Sequence, residues 1–394
     1  MNIRIKRHNI DMLCWCIIII CLIWAVLASS YTISSNLALL VLFFNNIPLH
    51  KKRVIYIIKI TLCILILIGY SVILGNSPNL ICRFGLILFF VGNAYFIKIN
   101  GKQALKYLMY ISTSFCIFLI AIEVLLLFVW DPIFIDQLRH IILDAQIGDI
   151  YSLNGIFYHV QLKGSAILPF IYMLLCVTNL FSKKVRKMYL VIHLIGFICA
   201  GNFMYIMSVA LFHCLLYIRT LNTKRKLLNG ILVGIIFITI LAPIIVPFFQ
   251  GKMEQKAETS NAIRIEQAAL LMVDMTENPV TVLFGKGLGN TLHVSTSFRD
   301  YTDNIYFELQ TIYFLNQMGV LPFLAFVLFN LWMIYKYIKN PKLKIVYLCY
   351  VAYAISNPYI LDTTQVVVII SLVAIENMYR YSNYGKDNLY LSPV

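Results

Sequence analysis

Apolar runs of roughly 20 residues, each long enough to cross a hydrocarbon core as a helix, follow one another almost end to end along this chain. No water-soluble layer architecture accommodates that pattern. Hydrophobic residues make up 61% of the chain and charged residues only 12%, whereas soluble domains carry about 25% charged residues. A membrane β-barrel is excluded as well, because the runs do not alternate apolar and polar with period two. The expected fold is an all-α polytopic membrane protein. Hydropathy and charge place its helices near residues 12–29, 31–49, 54–75, 81–97, 107–129, 159–182, 188–201, 203–219, 227–248, 305–338, 345–360 and 364–380. The 305–338 span is long enough to break, and Gly319-Val320-Leu321-Pro322 marks where. These twelve crossings form one bundle over 1–394, with a smaller loop at 130–158 and a large one at 249–304.

The net charge of +15 would suit a nucleic-acid binder, but its placement is that of a topology signal. Arg4, Lys6 and Arg7, then Lys51, Lys52 and Arg53, then Lys98, Lys102 and Lys106 fall at every second inter-helix segment. The series continues through Lys183, Lys184, Arg186 and Lys187, then Arg219 and Lys224 to Lys226, then Lys336 to Lys344, and finally Arg380 and Lys386. The positive-inside rule assigns these segments and both termini to the cytoplasm. The intervening loops face outward, as Asp131, Asp136, Asp144 and Asp149 against Arg139 illustrate. No nucleic-acid partner is expected; membrane lipid is. Arg4, Lys6 and Arg7 ahead of Val26-Leu27-Ala28 have the outline of a signal peptide, but an uncleaved first helix is the expected reading. The ten cysteines lie in or beside apolar spans, so neither a disulfide framework nor a zinc spacing is present. Lys59 and Arg83 fall inside spans, where a charge costs about 2.5 to 3.5 kcal/mol; each either snorkels to an interface or faces a wet cavity.

Chemistry in such a protein gathers where water and protein replace lipid. That directs attention to Gln250–Asn304, with its five cationic and seven acidic residues. Ser260 or Asn261 can cap a helix in which Ala262, Ile265, Ala268, Ala269, Met272 and Met275 share a face, and Pro279 follows its end. Arg264, Gln267 and Asp274 lie away from the centre of that face, so the helix rests on the bundle or at the membrane surface, with Arg264 at headgroup height. Farther on, Gly285-Lys286-Gly287-Leu288-Gly289 either offers successive backbone N–H groups to a phosphate, as glycine nests do, or is a flexible turn. Its spacing is not that of a nucleotide P-loop. Tyr158-His159-Val160-Gln161-Leu162-Lys163-Gly164 opens the sixth span with a basic pair that suits an anion; the plain alternative is that Lys163 snorkels and His159 caps the helix. Arg299 to Glu308 bring the chain back to the membrane. Asp303 sits at a wet boundary, and Glu308, about one turn inside a span, calls for a partner or a proton role. Ser/His/Asp, His-Glu-x-x-His and acidic metal-box patterns are absent from the sequence, so neither a metal nor another cofactor is expected.

Three stretches together carry a resemblance: Gly155-Ile156-Phe157-Tyr158-His159-Val160-Gln161-Leu162-Lys163-Gly164 with Leu168-Pro169; Arg264 through Phe284-Gly285-Lys286-Gly287-Leu288-Gly289; and Asp303-Asn304-Ile305-Tyr306 with Gly319. In order, spacing and outward location the region from 150 to 335 resembles the O-antigen polymerase and O-antigen ligase superfamily of bacterial envelope glycosyltransferases. The first stretch leans toward polymerases. What the resemblance implies is a multi-pass, metal-independent enzyme of the bacterial inner membrane. It would act at the outer face on undecaprenyl-pyrophosphate-linked oligosaccharide, beside a chain-length regulator and a flippase. Outward arginines of that superfamily engage the pyrophosphate, and Arg264 matches that role best. Two departures matter. Asp303-Asn304 stands where ligases and some polymerases have His-Asn, so no histidine role transfers, and His159 stands where polymerases often have Arg. The implied anion-binding set is His159, Lys163, Arg264, Lys286 and Arg299, with Asn304 and Tyr306 as further substrate contacts.

The chemistry of the residues agrees. Breaking an anomeric C–O bond to a diphosphate builds positive charge on the sugar and negative charge on the leaving group, which fixed cations stabilise. Arg264 offers a planar fork to two phosphate oxygens and Lys163 a point charge. The attacking hydroxyl must lose its proton, a step worth roughly 100-fold to 10,000-fold to a well-placed base; Asp303 is the first candidate, Glu308 and His293 weaker ones. The expected reaction moves a growing glycan from its carrier onto the terminal sugar of a new lipid-linked unit. A ligase acting on lipid A-core and a lipid-linked oligosaccharide flippase are the alternatives. Transporters, however, usually show two related halves, and this sequence shows none.

Overall fold

A computed structural model describes residues 2–25, 31–46, 51–128, 132–145, 147–152, 158–220, 262–296, 300–302, 307, 309–355, 357 and 359–387. The tripeptide at 26–28, the capping residues Ser260 and Asn261, and the span expected at 227–248 lie outside the described residues.

The described chain is mostly helical. It opens with α1 (Asn2–Ile23), α2 (Tyr31–Asn45), α3 (Lys51–Ile73), α4 (Pro78–Asn93) and α5 (Gly101–Phe128). Then come α6 (Pro132–Asp144), a hairpin of β1 (Gly148–Ser152) and β2 (Tyr158–Leu162), α7 (Leu168–Val177), α8 (Lys183–Cys199) and α9 (Phe203–Thr220). After α10 (262–275) the chain ends with α11 (Pro279–Phe284), α12 (Gln310–Met318), α13 (Val320–Tyr337), α14 (Pro341–Ile355) and α15 (Thr363–Asp387). Four stretches, Arg53–Ile73, Pro78–Phe96, Gly101–Phe128 and Val320–Tyr337, are helical, long and apolar enough to cross a membrane. Those are the properties of a membrane-embedded protein.

Long-range contacts define two ends. At one, Lys98 N–H donates to Asn46, Asn340 N–H and the Arg380 guanidinium both donate to Glu376, and Tyr379 donates to the Val177 carbonyl. The β hairpin marks the other: Glu123 near the end of α5 accepts from Tyr158 N–H at 2.8 Å. Between the ends runs a continuous apolar core in which Trp15 donates to the Ala104 carbonyl at 3.0 Å and Tyr353 to the Ala166 carbonyl at 2.9 Å. Gly196 lets α8 press against α5, since a Cβ there would lie 2.7 Å from Cys116 Sγ; small residues serve this purpose in membrane bundles. A second, smaller core joins Phe84 of α4, Leu271 of α10, Leu288, and Tyr313 and Phe314 of α12.

Two elements depart from the sequence reading. The helix expected over 159–182 is instead strand β2, a 3-10 turn at Lys163–Ile167 and the ten-residue α7. A short apolar run does not declare its period, and here pairing with β1, in register from Gly148↔Leu162 to Ser152↔Tyr158, makes it a strand. His159 therefore caps no helix. The all-α expectation gains this two-stranded ribbon and α6 beside it. The break expected near Gly319 is found there: α12 and α13 are separate helices, and Gly319 at φ +71 lies between them.

Candidate functional site

The hairpin is the first wall of the candidate site. Tyr151 and His159 are cross-strand partners with ring centroids 5.3 Å apart. Gly201, at φ +66 beyond the end of α8, leaves the His159 ring a place that any Cβ would fill. Arg139 of α6 is tied to Asp149 of β1 at 2.8 Å, which stiffens the ribbon and occupies that arginine. Burial pushes the Tyr151 phenol up to about 12, helped by the nearby Asp149 carboxylate and opposed by Arg264. The Arg264 charge therefore acts on Tyr151, the cross-strand partner of His159.

Helix α10 delivers Arg264, and of the apolar face expected to rest on the bundle or at the membrane surface Met275 is buried while Ile265, Ala269 and Met272 are exposed. Ile265 and Val273 are 70% and 71% exposed, while Gln267 and Leu271 are fully buried. The reason is polar satisfaction. Asp274 accepts from Asn316 at 2.8 Å and from Asn290 at 3.0 Å, and Asn316 also donates to the Leu271 carbonyl. Such bonds hold the side bearing Gln267, Leu271, Asp274 and Met275 inward in a protein whose surroundings are apolar, and Ile265 and Val273 face outward.

The glycine-rich stretch is a latch. Lys286 N–H donates to the Asn316 carbonyl, Gly287 N–H to the Gln317 carbonyl, Leu288 N–H to Ser71 Oγ and Gly289 N–H to Gln317 Oε1, all at 2.7 to 2.9 Å. Asn76 donates to the Lys286 and Leu288 carbonyls, and Tyr70 to that of Gly285. The run of N–H groups that would cradle a phosphate is already spoken for by protein acceptors, and the stretch is no loose turn either. Glycine is required because Gly285, Gly287, Gly289 and Gly319 all have φ between +71 and +85. Upstream, Asn278 caps α11 in a reciprocal box with Thr281, with Pro279 in the first turn. The Lys286 ammonium is paired with Glu277 and lies 3.4 Å from Asp274. Burial works against its charge, but the Glu277 hydrogen bond and the two carboxylates outweigh this and raise its pKa. Asp274 lies ten residues beyond Arg264 on α10, roughly 15 Å at 1.5 Å per residue. The structure therefore does not bring Lys286 to Arg264.

A third group collects on the hairpin side. Burial raises the pKa of Asp362, in the turn before α15, against hydrogen bonds from Thr363 N–H and the Thr364 hydroxyl and the positive charges of Arg83 and Lys163. Lys163 follows β2 directly and is exposed; Arg83 is exposed near the start of α4. Tyr151 and Asp362 were missed by sequence reasoning. No motif or spacing marks either of them in the sequence. Compared with protein-family models, curated proteins and solved structures, the chain matches none at a significant level.

Arg299, Asp303, Asn304, Tyr306 and Glu308 lie outside the described residues. His293, the other base candidate, is exposed beyond the latch, on the wall of a groove. Among the described residues no three His, Cys, Asp or Glu side chains come together as a metal site would need.

Proposed function

We propose that this protein is a membrane glycan polymerase that transfers a growing glycan from undecaprenyl pyrophosphate to the terminal sugar of a new lipid-linked repeat unit. On this reading the chain crosses the bacterial inner membrane twelve times, keeps both termini in the cytoplasm, and works at the outer face. The observation that carries it is that cationic groups from separate segments act electrostatically on residues at the hairpin end: Arg264 on the Tyr151 phenol of β1, and Arg83 and Lys163 on the Asp362 carboxyl. Basic inter-helix segments at Lys98 and Arg380 belong to the opposite end, as positive-inside topology requires.

In the reaction the acceptor hydroxyl oxygen attacks the anomeric carbon, the bond from that carbon to the diphosphate oxygen breaks, and the diphosphate leaves with the electron pair. Arg264 and Lys163 stabilise the charge that develops on it. The hydroxyl proton passes to a carboxylate, for which Asp303 is the designated residue. Lys286 serves the latch on this reading and leaves the anion to the others.

The test is a proteoliposome reaction given purified lipid-linked repeat units and no other acceptor. A ladder of lengthened lipid-linked glycans is expected, with turnover falling by about 100-fold to 1,000-fold in Arg264→Ala while membrane insertion is unchanged. Normal chain lengths in Arg264→Ala would refute the proposal. Product only after addition of lipid A-core would make the protein a ligase, and movement of substrate between leaflets without either product would make it a transporter.

A further inference from the structure

A groove of about 830 Å³ opens between the α3–α4 turn, the second half of α10 and the segment that follows the latch. We propose that it holds the trailing sugars of the acceptor repeat unit, an inference that rests on the polymerase reading and gives that site its second substrate position. The volume falls within the roughly 300 to 1,000 Å³ of small-ligand clefts. Its lining has the composition a glycan needs. Asp274 and the side-chain oxygens of Asn76 and Asn290 supply acceptors for hydroxyl groups, His293 a ring nitrogen, and Leu80, Val273 and Leu292 an apolar wall for C–H faces.

Charge separates this ligand class from the pyrophosphate. Among the described residues no lysine or arginine lines the groove, and the Lys286 ammonium, 3.4 Å from the groove's Asp274, is also engaged by Glu277. A polyanion gains little there; an uncharged hydroxylated chain gains a set of fixed polar partners. They are fixed because the latch holds them: Asn76 is bonded to the carbonyls of Lys286 and Leu288 at 2.9 and 3.1 Å, and Asn290 to Asp274 at 3.0 Å. Side chains already ordered lose little entropy on binding.

Position supplies the second argument. Val273 and Arg264 are nine residues apart on one helix, roughly 13 to 14 Å. An acceptor whose terminal sugar meets the donor at Arg264 must extend its remaining sugars away from the reacting end, and this groove runs along the same helix. At its far side lies the end of α3, where Val72 and Ile73 are 60% and 85% exposed. That apolar flank suits the acceptor's own prenyl carrier.

The experiment uses the full chain in nanodiscs. Val273→Trp and Leu80→Trp narrow the groove; Val280→Trp, on the exposed face of α11 outside it, is the control. Two readouts are taken: the KM and kcat for a repeat unit on a short-chain carrier, and saturation-transfer NMR of the free oligosaccharide released from that unit. Expected are a rise of about tenfold in acceptor KM with little change in kcat, and loss of the NMR signal, in both groove variants but not in the control. A ladder formed with unchanged KM and an unchanged signal in both groove variants overturns the inference and leaves the polymerase reading standing. Oligosaccharide binding that Val273→Trp removes, in a protein that never forms a ladder, upholds the sugar site and refutes polymerisation. A raised KM with an unchanged oligosaccharide signal in both groove variants overturns the inference in favour of a groove for the lipid tail.

Discussion

Gly319→Ala tests the latch most directly. Gly319 has φ +71 and ψ 173, and Gly285, which faces it, φ +79 and ψ −177. This region of backbone space is essentially reserved for glycine, and an alanine there costs about 1 to 3 kcal/mol. A Cβ at 319 would also lie 2.5 Å from both the N and the C of Phe284. These are backbone atoms that cannot rotate aside, so the two segments must separate. Separation strains the bonds from Lys286 N–H to Asn316 O and from Gly287 N–H to Gln317 O, each 2.9 Å and each worth about 0.5 to 1.5 kcal/mol. The sum is a loss of roughly 2 to 6 kcal/mol from the latch. At about 1.4 kcal/mol per factor of ten, latch opening rises at least roughly 30-fold. Hydrogen–deuterium exchange of the full-length protein, read on peptides covering 284–290, measures this opening equilibrium. Gly69→Ala is the control: nothing lies within 4 Å of a Cβ there, and alanine favours a helix interior by about 1 kcal/mol. Wild-type exchange at Lys286 and Gly287 in Gly319→Ala would refute the account of the latch.

Two further outcomes follow from the same geometry. Glu123→Ala leaves the Tyr158 N–H without its acceptor and should destabilise by about 1 to 3 kcal/mol in thermal unfolding, whereas Glu123→Gln keeps an acceptor oxygen; a glutamine variant that unfolds with the alanine one would show that charge, not acceptance, matters. Glu277 is held below its ordinary value near 4.5 by the hydrogen bond and charge of Lys286, and Lys286 stands above its ordinary 10.5. The Glu277 share of stability is therefore complete above pH 4.5 and lost as pH falls through the depressed value; the Lys286 share is complete below 10.5 and lost as pH rises through the elevated one. Exchange across 284–290 should quicken at both extremes, and Glu277→Gln should remove the acid limb and shrink the alkaline one to the part that Asp274 sustains.

What could be read from the chain and what could not divide along a physical line. Helical membrane character was visible because lipid forces every backbone group to find its partner within the segment, so long apolar runs declare themselves without neighbours. The break at Gly319 was visible for a similar reason, since glycine beside a proline-bearing turn interrupts a helix locally. Arg83 was visible as a charge out of place. The strand at Tyr158–Leu162, the buried side of α10 and the engagement of Lys286 were not visible. Each rests on a partner far away in sequence: β2 on β1 and Glu123, α10 on Asn290 and Asn316, and the glycine stretch on Ser71, Asn76 and Gln317. The sequence by itself determined that the chain is helical and membrane-embedded and which residue types were out of place in it. Only the tertiary structure decided which of those cations are already paired, as Lys286 is with Glu277 and Asp274, because pairing of polar groups is a property of long-range contacts that no local pattern encodes.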